Sequence, residues 1–135
     1  MQYLAHIALV IKDYDDAIQF YTQKLGFTLI EDTKLSEEKR WVMVRPPGAK
    51  ECSILLAKAA NEKQNASIGN QTGGRVFLFL FTDDFERDYE TYIERGINFI
   101  RPPKKEEYGQ VAVFEDLYGN LWDLIQPNEN NQKLR

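Results

Sequence analysis

His6 is the single histidine among 135 residues, so any imidazole chemistry within one chain runs through it. It sits in the apolar stretch Ala5, His6, Ile7, Ala8, Leu9. Strand alternation would put His6, Ala8 and Val10 on one face and Ile7, Leu9 and Ile11 on the other. The bulkier set should pack on a helix, which leaves His6 facing a cavity. There it serves as a general base or ligand contact near neutral pH, or as a buried neutral ring with one hydrogen-bond partner. Asp123 lies between Trp122 and Leu124, with Leu121 and Ile125 on its own face. A carboxylate in such company must be paired, hydrogen-bonded or protonated. Trp41, Met43 and Arg45 alternate with Arg40, Val42 and Val44, and either set brings a guanidinium to a cavity or its rim. A guanidinium grips a carboxylate in two places, so an aromatic with Arg, Gln110 and His6 suits a small, flat or anionic organic ligand. Cys52 opens an apolar strand and reads as a buried thiol rather than a nucleophile.

Counts narrow the chemistry further. One histidine cannot build a His-rich metal site, and one cysteine excludes an internal disulfide and a Cys-rich zinc site. Net charge is -4, from 17 Lys+Arg against 21 Asp+Glu, which argues against a general nucleic-acid binder. The longest strictly apolar run, Val76–Phe81, is far shorter than the ~20 residues that cross a bilayer. The first residues lack the pattern of a secretory signal, which points to the cytoplasm. At 43% hydrophobic and 28% charged residues, the composition is that of one soluble domain.

The elements that must hold these groups come in two copies. Asp13 opens a segment of helical period that ends at Gly26. Asp83 opens another that ends at Gly96, 70 residues on. The first helix is expected over residues 14–25, with Asp13 as its cap and Tyr14, Ala17, Ile18, Tyr21 and Leu25 as its stripe. The second is expected over 84–95, capped by Asp83. Strands are expected over 27–30, 39–45 and 52–57 in the first half, and over 97–100, 111–114 and 121–125 in the second. The repeat matches Gln110, Ala112 and Phe114 to Trp41, Met43 and Arg45. Residues 1–58 form module one, 59–74 a polar linker and 75–126 module two, together a single domain over 1–126. Residues 127–135 read as a mobile tail.

A doubled βαβββ unit of this length resembles the vicinal oxygen chelate superfamily, which includes glyoxalase I, extradiol dioxygenases and the bleomycin- and fosfomycin-resistance proteins. Three segments carry the resemblance: His6 to Val10 with Asp13, Phe20-Tyr21 through Leu25-Gly26-Phe27, and Phe114 through Leu124 with its Asp116 to Asn120 turn. It implies an α+β fold of two tandem modules whose curved sheets enclose a cavity. It also implies a divalent metal, zinc, nickel, manganese or iron, held by four inward residues. Those positions fall here on His6, Leu55, Val76 (or Phe77) and Asp123. Two of the four have no donor atom, so a metal at His6 and Asp123 is expected to be weak or absent.

Two functions follow from these residues. One is lyase or dioxygenase chemistry on a small organic molecule, with His6 and Asp123 catalytic and a metal polarising vicinal oxygens. The other is metal-free sequestration of a small molecule, as in the bleomycin-resistance type, with Arg40, Trp41, Arg45 and Gln110 gripping the ligand. Either form is expected to be a homodimer, since bare sheet edges invite pairing.

Overall fold

Strands, not helices, make up most of the regular structure. The computed structural model describes residues 1–130. In chain order the elements are β1 (His6–Ile11), α1 (Tyr14–Gln19), β2 (Thr28–Lys34), β3 (Arg40–Arg45), β4 (Ser53–Lys58), α2 (Glu62–Ser67), β5 (Val76–Phe81), α3 (Phe85–Glu94), β6 (Phe99–Glu106), β7 (Gly109–Glu115) and β8 (Leu121–Pro127). They form two four-stranded sheets, ordered β1-β4-β3-β2 and β5-β8-β7-β6. In each, the first and last strands pair in parallel and the other pairs are antiparallel. The expected α+β fold of two tandem βαβββ modules is therefore present. The chain divides into two compact units, Met1–Gln71 and a second that begins at Thr72.

In the first unit, α1 lies on β3 and β4. Leu9, Ile11, Val42, Val44 and Leu56 pack beneath it with no solvent exposure. Asp13 caps α1 as expected, its carboxylate accepting the Asp16 N–H at 2.9 Å. The helix does not run evenly to residue 25. It widens to a π-turn over Phe20–Lys24, where the Leu25 N–H reaches the Phe20 carbonyl at 3.2 Å. Two consecutive rings, Phe20 and Tyr21, are both buried here in edge contact, and a regular turn would swing them about 100° apart. Gly26, at φ 73°, then takes the left-handed turn that lets the Phe27 N–H close on the Tyr21 carbonyl.

In the second unit, α3 packs on β8. Phe114 joins Tyr92, Phe99 and Trp122 in one cluster, with centroids 5.4–5.8 Å from its own. The cap of α3 is Asp84, not Asp83. Asp84 accepts the Arg87 N–H at 3.1 Å, while Asp83 pairs with the Arg87 guanidinium at 3.0 Å. The edge strands β2 and β6 are longer than expected. β6 runs on through Pro102 and Pro103 with two register shifts, a composition tolerated at an edge.

The segment expected as a linker holds α2, capped by Asn61 through the Gln64 N–H. None of its residues is buried, so it carries no apolar period to announce it. Past it, the Gln71 amide lies along β1. It accepts the Val10 N–H at 2.7 Å and donates to the Ala8 carbonyl at 3.2 Å, as a neighbouring strand would. At the other end, Pro127 closes β8, and the Asn128 and Asn130 side chains donate to the Glu107 carbonyl at 2.7 and 3.3 Å. Residues 131–135 of the expected tail lie outside the described residues.

Candidate functional site

Each sheet has a side under its helix and a side turned away from it. Pairing register sorts the side chains, because opposed residues share a face. In the first sheet, the Arg40 guanidinium reaches Asp15 of α1 at 2.9 Å, which puts Arg40, Val42 and Val44 under the helix. Trp41, Met43 and Arg45 therefore face away. Met43 opposes Leu55, and Leu55 opposes Ala8. The open face thus also takes His6, Ala8 and Val10 of β1, and Ser53, Leu55 and Ala57 of β4.

The predicted residues of this unit separate accordingly. Arg40 is committed to structure. It grips Asp32 in two places, at 3.0 and 2.7 Å, and lies 5.1 Å from the centre of the Tyr14 ring. Arg40 in turn holds the Asp32 carboxyl below its ordinary value. Arg45 is freer. Its Nε donates to Ser53 Oγ at 3.0 Å and its Nη1 to the Ala49 carbonyl at 3.4 Å. Ser53 opposes His6 across β1 and β4, so Arg45, Ser53 and His6 form one row. His6 is exposed and has no hydrogen-bond partner among the described residues. Arg40 and Trp41 share a cleft of about 550 Å³, which Tyr14, Leu55 and Lys58 also line, a volume within the ordinary range of ligand sites.

In the second sheet, the Gln126 side chain accepts the first N–H of α3, from Phe85, at 2.8 Å. Gln126, Leu124 and Trp122 are therefore on the helix side. Gln110 opposes Gln126 and Phe114 opposes Trp122, so they share that side. The repeat match is corrected by one residue: Val111, Val113 and Glu115, not Gln110, Ala112 and Phe114, correspond in facing to Trp41, Met43 and Arg45. The 70-residue offset that relates Asp13 to Asp83 and Gly26 to Gly96 gives these three positions as well, whereas the match to Gln110 is one residue short of it. Asp123 faces the open side beside Val113 and Phe79. It is half-buried, and that burial raises its carboxyl, against a smaller opposing pull from Arg101. Val76 opposes Leu121 as His6 opposes Ser53, so the place matching His6 is filled by valine.

These placements test the fit of a metal. Each unit offers one donor at the implied positions, His6 in the first and Asp123 in the second. Leu55 and Val76 offer none, and among the described residues no group of three or more His, Cys, Asp or Glu side chains could hold an ion. The donor set does not fit a four-ligand centre.

The motif around Asp116 has a different task. This carboxylate is buried and accepts from the Tyr118 and Asn120 N–H groups, both at 3.0 Å, from the Asn120 amide, and from the Trp122 indole at 3.3 Å. It ties the β7–β8 turn and touches no open face. What sequence reasoning missed are Phe79 and Phe81, which sit on the open face 62% and 39% exposed. They belong to an unbroken apolar run, which carries no alternation to reveal a face.

The family model for the Glyoxalase/Bleomycin resistance protein/Dioxygenase superfamily matches residues 3–124. The chain belongs to this superfamily. It is 61% identical to an uncharacterized protein of Shewanella frigidimarina (strain NCIMB 400), over 95% of this chain and 96% of that one. Among solved structures it is similar to UcmS2, with a TM-score of 0.82, 30% identity and coverage of 93% and 98%. It is also similar to TnmS3, an antibiotic binding protein from Streptomyces sp. CB03234, with a TM-score of 0.74, 28% identity and coverage of 95% and 98%. Superfamily membership fixes the fold and leaves the reaction open, since one fold hosts many activities. Among the described residues no helix is long and apolar enough to cross a membrane.

Proposed function

We propose that this superfamily member is a metal-free small-molecule binding protein of the antibiotic-sequestering kind, using the open faces of its sheets. The observation that carries the reading is the donor set: Leu55 and Val76 stand where the family's metal ligands would stand. In their place the open face of the first unit offers Trp41 for stacking with His6 and Arg45 for orientation, and that of the second offers Phe79 and Phe81 with Asp123. Likeness to TnmS3 supports the same reading. The half-buried thiol of Cys52, raised by burial, suits a reducing compartment such as the cytoplasm.

Titration calorimetry with zinc, nickel, manganese and ferrous iron tests this reading. No 1:1 site of submicromolar affinity is expected. Such a site, lost in both His6→Ala and Asp123→Ala, would instead favour the lyase or dioxygenase reading, which His6 and Asp123 motivate by holding two of the four implied positions.

A further inference from the structure

One row of the second sheet runs Phe79, Asp123, Val113, Arg101 across β5, β8, β7 and β6. The next row on the same face runs Phe81, Ile125, Val111, Lys104. Two phenylalanine rings, 62% and 39% exposed, therefore stand along one side of a carboxylate. Val113, Ile125 and Leu121 are its other neighbours on the face, with Glu115 opposite Leu121. Asp123 has no hydrogen bond or ion pair among the described residues, an unfavourable state for a half-buried carboxylate. Two cations share this face. Arg101, two strands along the same row, exerts only a lesser pull on Asp123 and makes no ion pair with it. Lys104 is paired with Glu106 at 3.0 Å. An anionic ligand would meet Asp123 at the aromatic end of the row, whereas a cationic donor would satisfy it.

We propose that this face binds a flat aromatic molecule carrying a protonated amine, with its ring against Phe79 and Phe81 and its ammonium on Asp123. The inference rests on the small-molecule-binding reading and names the class of ligand. Stacked rings supply the affinity, and the charge-assisted hydrogen bond supplies the selection.

Three probes with one ring system separate the terms: anthracenylmethylamine, anthracenemethanol and anthracenecarboxylate. Each is titrated at neutral pH by fluorescence against the full chain, Asp123→Asn and Phe79→Ala, with circular dichroism to confirm folding. The amine should bind roughly tenfold more tightly than the alcohol, and the carboxylate most weakly. That preference should vanish in Asp123→Asn, while Phe79→Ala weakens amine and alcohol alike. If all three bind but the amine has no advantage, or keeps it in Asp123→Asn, the ligand class is wrong and the binding reading stands. If none binds at millimolar concentration, both are overturned.

Discussion

Asp123 and Asp116 are both carboxylates on or beside β8, and their surroundings assign them opposite tasks. Asp116 is saturated by donors, so losing it strands the Trp122 indole and two backbone N–H groups in a buried turn. Asp116→Ala should cost about 3 kcal/mol in urea unfolding, with no specific effect on ligand binding beyond that loss of stability. Asp123 is under-satisfied, and burial raises its carboxyl above the ordinary carboxylate range. The folded chain therefore holds this proton more firmly than the unfolded one. Stability from this group is fully present below the ordinary value and is lost as pH rises through the raised one. Asp123→Asn removes that cost, so it should raise stability at pH 7. The gain should fade toward pH 3 in melting temperatures measured across pH. A gain of equal size at every pH would refute the electrostatic account.

At the scale of elements, β1 offers the sharpest test. Its outer edge is closed by the Gln71 amide, not by another strand of its own sheet. Gln71→Ala should speed exchange of the Val10 amide hydrogen by at least tenfold relative to Leu9, read by NMR. Unchanged protection would show that the side chain is not the lock. The same region shows what was legible in the sequence and what was not. Caps and stop glycines were readable because each rests on one local interaction, as at Asp13 and Gly26. The α3 cap was misplaced by one residue because Asp83 and Asp84 are chemically equivalent, and only the Arg87 contacts distinguish them. α2 was invisible because it buries nothing. β2 and β6 were read short because edge strands tolerate charge and proline. Among the site residues, the facing of His6 and Asp123 followed from simple alternation. That of Gln110 did not, because its match to Trp41 departs by one residue from the 70-residue repeat, and one residue along a strand reverses the face.

For the whole molecule, the exposed apolar side chains bear on assembly. Leu29 and Ile30 on the edge strand β2 are 40% and 39% exposed, whereas β6 is guarded by Pro102, Pro103, Lys104 and Lys105. We expect a homodimer, with light scattering giving about twice the 15.8 kDa chain mass. A monomer mass at micromolar concentration would overturn that. Each sheet also divides its labour by side: the helix-covered face holds most of the core, and the other face carries the exposed His6, Phe79 and Phe81 among buried Met43, Ser53, Val113 and Ile125. Along β3 a substitution scan should therefore read as a stripe. Val42→Ala and Val44→Ala should erode folding by about 1–3 kcal/mol each, whereas changes at Trp41 and Arg45 should act chiefly on what is bound. Selection on a new ligand can then work on alternate positions of a strand without disturbing their neighbours. A superfamily built on such sheets can exchange one small molecule for another while its scaffold stays the same.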